Sequence, residues 1–328
     1  MKTMVSGIKP TGQLHLGNYL GALKNFVTYQ DDYHMIAFIA NLHCITVYQD
    51  PKELQTYLKD CIALYLACGL DPDKATIFLQ TDVLEHAQLG FILNCNTYLG
   101  ELNRMTQYKD KVAKNEINLT GGIYTYPTLM AADILMYDAD YVPVGDDQKQ
   151  HVELTRDVAI RFNNRYGETF KVPEPIIPKT GARIMSLSDP SKKMSKSDES
   201  NKGCIYLLDD LKIVHKKIMS AVTDDKAQVK YDVHNQPGIA NLMTIYASLT
   251  GKTMSEIEKE FEGQLYGNFK KAVSAVVCDE LAMIQEKYRN IVESNIMDEV
   301  LLKGKQFASK KAQEKLDLVQ KKIGIEIR

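Results

Sequence analysis

The first half of the chain alternates short apolar runs with segments of helical periodicity. The runs predict four strands, at 3–6, 35–40, 75–79 and 141–144. The periodic segments predict helices that begin near 17, run over 50–69 and 87–99, and begin again at 146. The runs at 35–40 and 75–79 are apolar throughout, which is typical of strands buried on both faces. Strands that alternate with helices predict a Rossmann-like, doubly wound parallel sheet in an α/β fold.

One helix start is marked with particular clarity. Asp50 is a good N-cap, Pro51 suits the first helical position, and Glu53 can complete a capping box. Gly69 follows the last apolar position and ends the helix.

The pattern changes after residue 200. The remaining segments all have helical periodicity, at 209–221, 238–250, 254–263, 266–290 and 296–323. We therefore expect a smaller, all-helical domain after the sheet. The expected division is a catalytic domain at 1–190, a basic loop at 191–200, a helical domain at 201–290, and a C-terminal helix at 291–328 that packs back on the first domain.

Composition narrows the class of protein. The 328 residues are 45% hydrophobic and 25% charged, with a formal net charge of -2, which is ordinary for a globular protein and does not indicate a DNA-binding protein. Six cysteines show no CxxC pair and no disulfide-like spacing, so we expect reduced thiols, a cytoplasmic protein and no metal site. No signal peptide or membrane span is predicted.

The C-terminal segment differs from the rest in charge. Residues 301–328 carry eight Lys or Arg against three Asp or Glu, a net charge of +5. A basic helix of this kind could contact phosphate, and a solvated helix face is an equally good interpretation.

Two phosphate-type elements are the most informative motifs. The first is His15-Leu16-Gly17-Asn18 at a predicted helix N-terminus, where unpaired N–H groups and the helix dipole suit a phosphate. The second, about 175 residues downstream, is the loop Lys192-Lys193-Met194-Ser195-Lys196-Ser197. Ammonium groups that arrive in the transition state would stabilise a leaving pyrophosphate, and Lys193 and Lys196 are the candidates. Either motif alone is weak evidence, whereas the pair indicates activation of a substrate by ATP.

A carboxylate stands on an otherwise apolar helix. With Pro127 as a helix start, Tyr126, Met130 and Asp133 lie on one face. A buried carboxylate is costly without a partner, which could be a ligand N–H or a buried arginine. These two interpretations remain open from the sequence.

A fourth segment follows the strand at 141–144. Gly145 permits close approach of a ligand, and Asp147 and Gln148 at the helix start can reach sugar hydroxyls or an ammonium group, although simple capping is the alternative. In a doubly wound sheet this segment and the His15 segment, which both follow strands, should share one crevice.

With these motifs together, the chain resembles the bacterial-type tryptophanyl-tRNA synthetases, a family of class I aminoacyl-tRNA synthetases. The resemblance covers nearly the whole chain and rests on SGIKPTGQLHLGNYLGALKNFV, LMAADIL, VPVGDDQKQHVELTRD and GARIMSLSDPSKKMSKSD. It implies ATP-dependent activation of L-tryptophan with Mg²⁺, transfer to tRNA(Trp), an anticodon-reading helical domain and a homodimer.

The resemblance also implies roles for individual residues. Those expected to be catalytic are His15, Asn18, Lys193 and Lys196. Those expected to bind ATP are Lys9, Gly17, Gly145, Asp147, Ile184, Met194, Ser195 and Ser197, with the backbone of Ile184 and Met194 holding adenine. Those expected to bind tryptophan are Val5, His43, Tyr126, Met130, Asp133, Val142, Val144 and Gln148, with Asp133 accepting the indole N–H.

Three positions depart from the family pattern: Val5 where a phenylalanine is frequent, Lys9 where a glutamine is common, and Asn41 where an aspartate is frequent. They concern pocket packing rather than the reaction. Two other functions stay open at this point. One is a tyrosyl-type ligase of the same class, and the other is a paralogue that binds tRNA or tryptophan as a regulator without catalysis.

Overall fold

The computed structural model describes residues 1–113, 119–177, 183–195 and 201–327, apart from the side chains of Asp146 and Asp147. Five parallel strands form one sheet: β1 (Thr3–Ile8), β2 (His34–Ile39), β3 (Ala75–Leu79), β4 (Tyr141–Pro143) and β5 (Glu174–Ile176). Their order across the sheet is β3-β2-β1-β4-β5. The predicted doubly wound parallel sheet is therefore confirmed.

Helices of the first half connect and cover these strands. They are α1 (Leu16–Asn18), α2 (Lys24–Tyr29), α3 (Asn41–Cys44), α4 (Pro51–Ala67), α5 (Glu85–Asn94), α6 (Leu99–Leu102), α7 (Thr106–Ala113), α8 (Gly121–Leu135) and α9 (Asp146–Tyr166). A π-helical segment, Tyr19–Leu23, joins α1 to α2, and a short 3-10 helix, Gln80–Asp82, follows β3.

Only helices follow β5 within the described residues. They are α10 (Leu211–Met219), α11 (Pro237–Thr250), α12 (Met254–Glu260), α13 (Tyr266–Val292) and α14 (Ile296–Ile323). The five predicted helical segments of the second half correspond to them one for one. No helix among the described residues is long and apolar enough to cross a membrane.

The two faces of the sheet belong to two hydrophobic cores. Successive residues of a strand point to opposite faces, and in β1 Met4 contributes to one core while Val5 contributes to the other. The Met4 core joins the sheet to α4 and to the helices α10–α13. The Val5 core joins it to α5, α8, α9 and α14.

The strand order creates the crevice that a ligand needs. The chain passes from β1 outward to β2 and β3, and then returns to place β4 on the other side of β1. At such a switch point the connections leave the two adjacent strands in opposite directions, and a cleft opens beyond their carboxyl ends. The His15 segment follows β1 and the Gly145 segment follows β4, so both border this cleft.

Several boundaries differ from the prediction. The helix that carries Asp133 begins at Gly121 and not at Pro127, because the side chain of Thr120 caps it by accepting from Ile123 N–H, and Pro127 is accommodated inside the helix. The helix predicted over 87–99 is α5 and ends at Asn94. Asn96 Nδ2 and Thr97 Oγ1 donate to carbonyls of its last turn and so replace the helical pattern there.

β5, α7 and the four-residue helices α3 and α6 were not predicted. β5 has three residues with Pro175 in the middle, and proline removes a strand donor, so no strand signal was present. α7 buries none of its residues, and it therefore has no apolar stripe that a periodicity argument could detect.

Candidate active site

The His15 segment is built as a helix cap. The ring Nδ1 of His15 accepts from Asn18 N–H at 3.3 Å, and His15 N–H donates to Asn18 Oδ1 at 3.1 Å. Because Nδ1 is an acceptor, a neutral His15 ring carries its hydrogen on Nε2. A Cβ on Gly17 would lie only 3.0 Å from that Nδ1, so glycine keeps the cap undisturbed.

The two phosphate-type motifs are joined through the backbone. Leu16 N–H donates to Ile205 O at 2.8 Å, and Leu207 N–H donates to Leu14 O at 2.9 Å. The chain that follows the lysine-rich loop is thus tied to the residues around His15. Ile184 completes the contact, since its Cβ lies 3.7 Å from the Cβ position of Gly17.

The lysine-rich loop is anchored on its first half. Met194 N–H donates to Ile184 O at 2.9 Å, and Lys193 forms an isolated bridge with Met185. Both Ile184 and Met194 are buried, whereas Lys193 and Ser195 are exposed. Lys196 and Ser197 lie outside the described residues, so their predicted roles stay predictions.

Lys192 behaves differently from Lys193. Its Nζ lies 2.9 Å from Asp189 Oδ2, on side chains that are largely exposed. Hydrogen bonds from Ser191 and Lys192 lower the pKa of the Asp189 carboxyl to about 2. This surface ion pair distinguishes Lys192 from Lys193, which forms a backbone bridge with Met185.

The Asp133 carboxylate is the most buried charge of the cleft, at 1% exposure. Its Oδ2 accepts from His43 Nε2 at 2.7 Å, and its Oδ1 accepts from Gln80 Nε2 at 2.7 Å and His86 Nδ1 at 2.6 Å. Burial acts to raise the pKa of this carboxyl, but the hydrogen bonds from His43 and His86 outweigh it and lower the pKa to about 2. Asp133 is therefore ionised at neutral pH.

Of the two open interpretations for Asp133, the salt bridge to a buried arginine is wrong. Two histidines and a glutamine occupy that position, and a carboxylate with about four acceptor positions keeps one for a further donor after these three. That position lies on Oδ2, the oxygen that His43 also contacts.

Apolar side chains line the same face of the sheet. The pairing of Met4 with Tyr141 places Val5 beside Val142, and Val144 follows two residues later on the same face. All three are buried in the core that contains α8, and Met130 packs against it. Pocket residues predicted from three separate segments are thus brought together around α8.

Tyr126 stands between the apolar wall and polar neighbours. Its ring lies edge-on to the His43 ring, with 6.1 Å between centroids. Its hydroxyl donates to Gln107 Oε1 at 2.8 Å and contacts Nε2 of the buried His151. Burial raises the pKa of the Tyr126 hydroxyl, which is therefore protonated at neutral pH.

The Gly145 segment forms the opposite side of the crevice. Gly145 is the N-cap residue of α9, and its carbonyl accepts from Gln148 N–H at 2.9 Å. The side chain of Asp147 lies outside the described residues, so its predicted contact with ATP stays a prediction.

Two of the positions that depart from the family pattern are held by threonines. Lys9 Nζ donates to Thr46 Oγ1 at 3.2 Å, and desolvation of the ammonium lowers its pKa. Asn41 pairs with Thr81 in both directions, since Nδ2 donates to the hydroxyl at 2.7 Å and Oδ1 accepts from the N–H at 3.1 Å.

Gln80 and His86 were missed by the sequence analysis. Gln80 follows β3 directly, so its place at the carboxyl end of a central strand was a usable signal. His86 had no such signal, because a histidine on an apolar helix is usually a core residue and its partner lies 47 positions away.

The described residues contain no group of three or more His, Cys, Asp or Glu able to hold a metal ion. In proteins Mg²⁺ is usually held by substrate phosphates together with one or two carboxylates. Among the described residues, the His15 cap and the exposed Lys193 lie on segments that backbone hydrogen bonds join, and Asp133 supplies an ionised acceptor among apolar side chains.

The fold places this protein with the class I aminoacyl-tRNA synthetases, whose solved structures share it. The sequence model of the family described as tRNA synthetases class I (W and Y) matches residues 1–282. The chain therefore belongs to the class I tRNA synthetases for tryptophan and tyrosine.

Several individual relatives are similar to this chain over nearly its whole length. A tryptophan--tRNA ligase of Oceanobacillus iheyensis is 52% identical over 325 residues, which cover 99% of each chain. The crystal structure of tryptophanyl-tRNA synthetase from Mycoplasma pneumoniae has a TM-score of 0.92 at 38% identity, covering 99% of this chain and 98% of that one. The enzyme from Campylobacter jejuni, complexed with ADP and tryptophan, has a TM-score of 0.83 at 37% identity, covering 99% and 100%.

Proposed function

We propose that this protein activates L-tryptophan with ATP and transfers it to tRNA(Trp). The observation that carries the proposal is Asp133, an ionised carboxylate among apolar side chains with one acceptor position left for an indole N–H. A site with such an acceptor disfavours phenylalanine, whose ring would leave the fourth acceptor position of the buried carboxylate unfilled. The relatives named as tryptophan--tRNA ligases support the same substrate.

The first chemical step is adenylate formation. A carboxylate oxygen of tryptophan attacks the α-phosphorus of ATP in line. A new oxygen–phosphorus bond forms, and the bond to the β-phosphate oxygen breaks. The products are tryptophanyl-adenylate and pyrophosphate. No side chain needs to form a covalent intermediate, so the protein accelerates the step by positioning and electrostatics.

Different residues are assigned to phosphate binding and to stabilisation of the leaving group. The N-terminus of α1, with His15 and Asn18, faces the phosphates and supplies hydrogen-bond donors. Lys193 and Lys196 stabilise the charge that develops on the leaving pyrophosphate. A magnesium ion, when bound together with the nucleotide, would neutralise part of the phosphate charge.

The second step transfers the amino acid. The terminal 2′-hydroxyl of tRNA(Trp) attacks the carbonyl carbon of the adenylate, and AMP leaves. We assign this chemistry to a catalytic domain at 1–190, anticodon reading to the helical domain at 201–290, and movement of the lysines to the loop at 191–200. The segment 291–328 would complete the catalytic domain, and α14 does pack against β3 and α5.

A homodimer is the proposed assembly. Four large apolar side chains between residues 84 and 99 are well exposed: Leu84 at 80%, Phe91 at 69%, Tyr98 at 61% and Leu99 at 70%. Leu84 and Phe91 are seven residues apart and lie on one helical face. An apolar patch of this kind on a folded protein favours association with a second copy.

The cytoplasm is the proposed location. All six cysteines, each within the described residues, are free thiols, and three of them are buried. Protein thiols persist in the reducing cytoplasm, whereas oxidising compartments favour disulfides.

ATP–pyrophosphate exchange with tryptophan, tyrosine and phenylalanine, assayed side by side, tests the proposal. We expect exchange with tryptophan alone, followed by charging of tRNA(Trp) in the presence of that tRNA. Exchange with tyrosine would preserve the mechanism and overturn the pocket assignment. Absence of exchange with all three, in a folded protein, would instead support a non-catalytic regulator.

A further inference from the structure

A buried polar chain runs from the pocket carboxylate to the back of α8. Asp133 Oδ1 accepts from His86 Nδ1 at 2.6 Å, and His86 Nε2 lies 2.7 Å from the hydroxyl of Tyr137. His86 is fully buried, and Tyr137 is 5% exposed. His86 therefore contacts the carboxylate from within the protein core.

The two oxygens of the Asp133 carboxylate have different hydrogen-bond partners. Oδ1 accepts from both His86 and Gln80, which fills its two acceptor positions. Oδ2 accepts from His43, whose ring faces Tyr126 at the pocket wall. The remaining acceptor position thus belongs to the oxygen on the pocket side, and the Oδ1 contacts determine how the carboxylate plane is turned.

Tyr137 fixes the tautomer of His86. An ionised carboxylate can only accept, so Nδ1 of His86 carries a hydrogen, and a neutral ring then offers Nε2 as an acceptor. Burial raises the pKa of the Tyr137 hydroxyl, which consequently stays protonated and donates to Nε2. Histidine orientation set by a second hydrogen bond is a common device at functional sites.

Aromatic packing keeps the histidine ring in place. The rings of Phe38, Phe78 and Tyr137 lie 6.0, 6.0 and 5.5 Å from the His86 ring, centroid to centroid. In such dry surroundings a hydrogen bond is stronger than in water, and the cost of breaking it is larger.

We propose that His86 is a positioning residue for tryptophan recognition, which holds the Asp133 carboxylate so that Oδ2 faces the N–H of the bound indole. The inference rests on the proposed function. His86 does not touch the substrate and acts through Asp133, with Tyr137 as its support.

The test compares tryptophan with an analogue in which sulfur replaces the indole N–H. The variants are His86→Leu, which removes both hydrogen bonds, and His86→Asn, whose amide can donate to Asp133 but does not reach Tyr137. Tyr137→Phe removes only the supporting hydroxyl. The quantity measured is kcat/KM in ATP–pyrophosphate exchange for each amino acid, together with KM for ATP.

His86→Leu should lower kcat/KM for tryptophan by about tenfold or more relative to the analogue, since a hydrogen bond to a charged group is at stake. His86→Asn should restore most of that ratio, and Tyr137→Phe should lower it by about threefold, as expected for a neutral hydrogen bond. KM for ATP should change by less than about twofold in each variant, because the residues proposed to bind ATP do not include Asp133.

A purely structural role would give a different result. If all variants reduce activity equally for tryptophan and for the analogue, His86 does not act through the N–H acceptor and the proposal is overturned. Phe78→Leu is the matched control, since Phe78 packs on the same ring without a polar contact; it should lower thermal stability and leave the substrate ratio unchanged.

Two further outcomes are distinguishable. If His86→Leu does not fold, His86→Asn and Tyr137→Phe decide the question, because both retain a similar volume or shape. If the unaltered protein shows no tryptophan-dependent exchange, the proposed function fails first. If the wild-type protein shows the exchange, and the variants keep the wild-type ratio of kcat/KM for tryptophan to that for the analogue, only the role of His86 is overturned.

Discussion

Asp133 shows how a single residue depends on partners far from it in sequence. Its charge is stabilised by His43, Gln80 and His86, which lie 90, 53 and 47 positions away. A buried carboxylate with three donors can remain ionised, where burial alone would have neutralised it. The same three contacts leave one acceptor position, so stability and recognition rest on one set of hydrogen bonds.

Removal of that carboxylate should affect one substrate only. We expect Asp133→Ala to raise KM for tryptophan by about 10- to 100-fold, since a charged hydrogen bond to the indole is lost, and to leave KM for ATP within about twofold. Steady-state exchange kinetics at varied tryptophan and varied ATP measure both values. Asp31→Ala, at an exposed carboxylate that pairs with Lys74, is the control and should change neither. Equal increases in both KM values would contradict the assignment.

The lowered pKa of Asp133 also predicts a pH dependence of stability. The folded pKa, about 2, lies below the ordinary value of 3.8, so the ionised group stabilises the folded state above pH 4 and this contribution disappears as the pH falls toward 2. Its size is on the order of 2 kcal/mol. We expect the difference in free energy of unfolding between wild type and Asp133→Asn to shrink between pH 5 and pH 3 in urea titrations. A difference that grows toward pH 3 would show the opposite shift.

At the scale of elements, α14 packs against β3 at one edge of the sheet. β3 is an edge strand, and a Cβ added to Gly304 of α14 would lie 1.8 Å from Ile77 O in that strand. The helix backbone thus lies directly against the strand backbone, which only glycine permits. Lys315 of α14 also binds the helix to the segment between α9 and β5, since it donates to Thr169 O at 3.0 Å.

Gly304→Ala should therefore be strongly destabilising. The added methyl group cannot be accommodated without moving α14 away from β3, and we expect a loss of about 2–3 kcal/mol in the free energy of unfolding. Gly267→Ala is the matched control, because Gly267 lies in a helix and no atom stands within 4 Å of its Cβ position. That variant should be neutral or up to about 1 kcal/mol more stable. Similar stability of the two variants would show that α14 is not closely packed.

At the scale of the whole molecule, one shared hydrophobic core holds the sheet against the helical half. One hydrophobic core extends from Met4 and Leu16 through Ile184 and Met194 to Phe269 of α13. The lysine-rich loop therefore begins inside the contact between the sheet and the helical half. A shift of the helical half would therefore reposition Lys193 relative to His15.

At the same scale, the exposed apolar side chains near Phe91 are the proposed dimer interface. We expect Phe91→Glu to weaken or abolish self-association, because a charge would be buried in an apolar interface. Size-exclusion chromatography with light scattering measures the mass of the assembly. Met283→Glu, at a side chain that is 54% exposed in the helical half, serves as the control and should leave the mass unchanged. A Phe91→Glu protein that keeps the mass of a dimer would remove this patch from the interface.

The sequence by itself determined most of the strands and long helices, and it determined the motifs. β3 lies at 75–79 as predicted, and Asp50 caps α4 by accepting from the N–H groups of Lys52 and Glu53. Apolar periodicity and helix caps act over a few residues, so they can be read locally. The same holds for the His15 and Lys193 motifs, whose chemistry is expressed in short contiguous stretches.

The tertiary structure alone decided which distant residues meet. It set Gln80 and His86 against Asp133, joined Leu16 to Ile205, and placed Gly304 on Ile77. None of these pairings has a local signal, because each depends on strand order, helix packing and side-chain direction across many tens of residues. The physical reason is that burial and hydrogen-bond satisfaction are properties of the assembled core, and only the complete fold determines which donor reaches which acceptor.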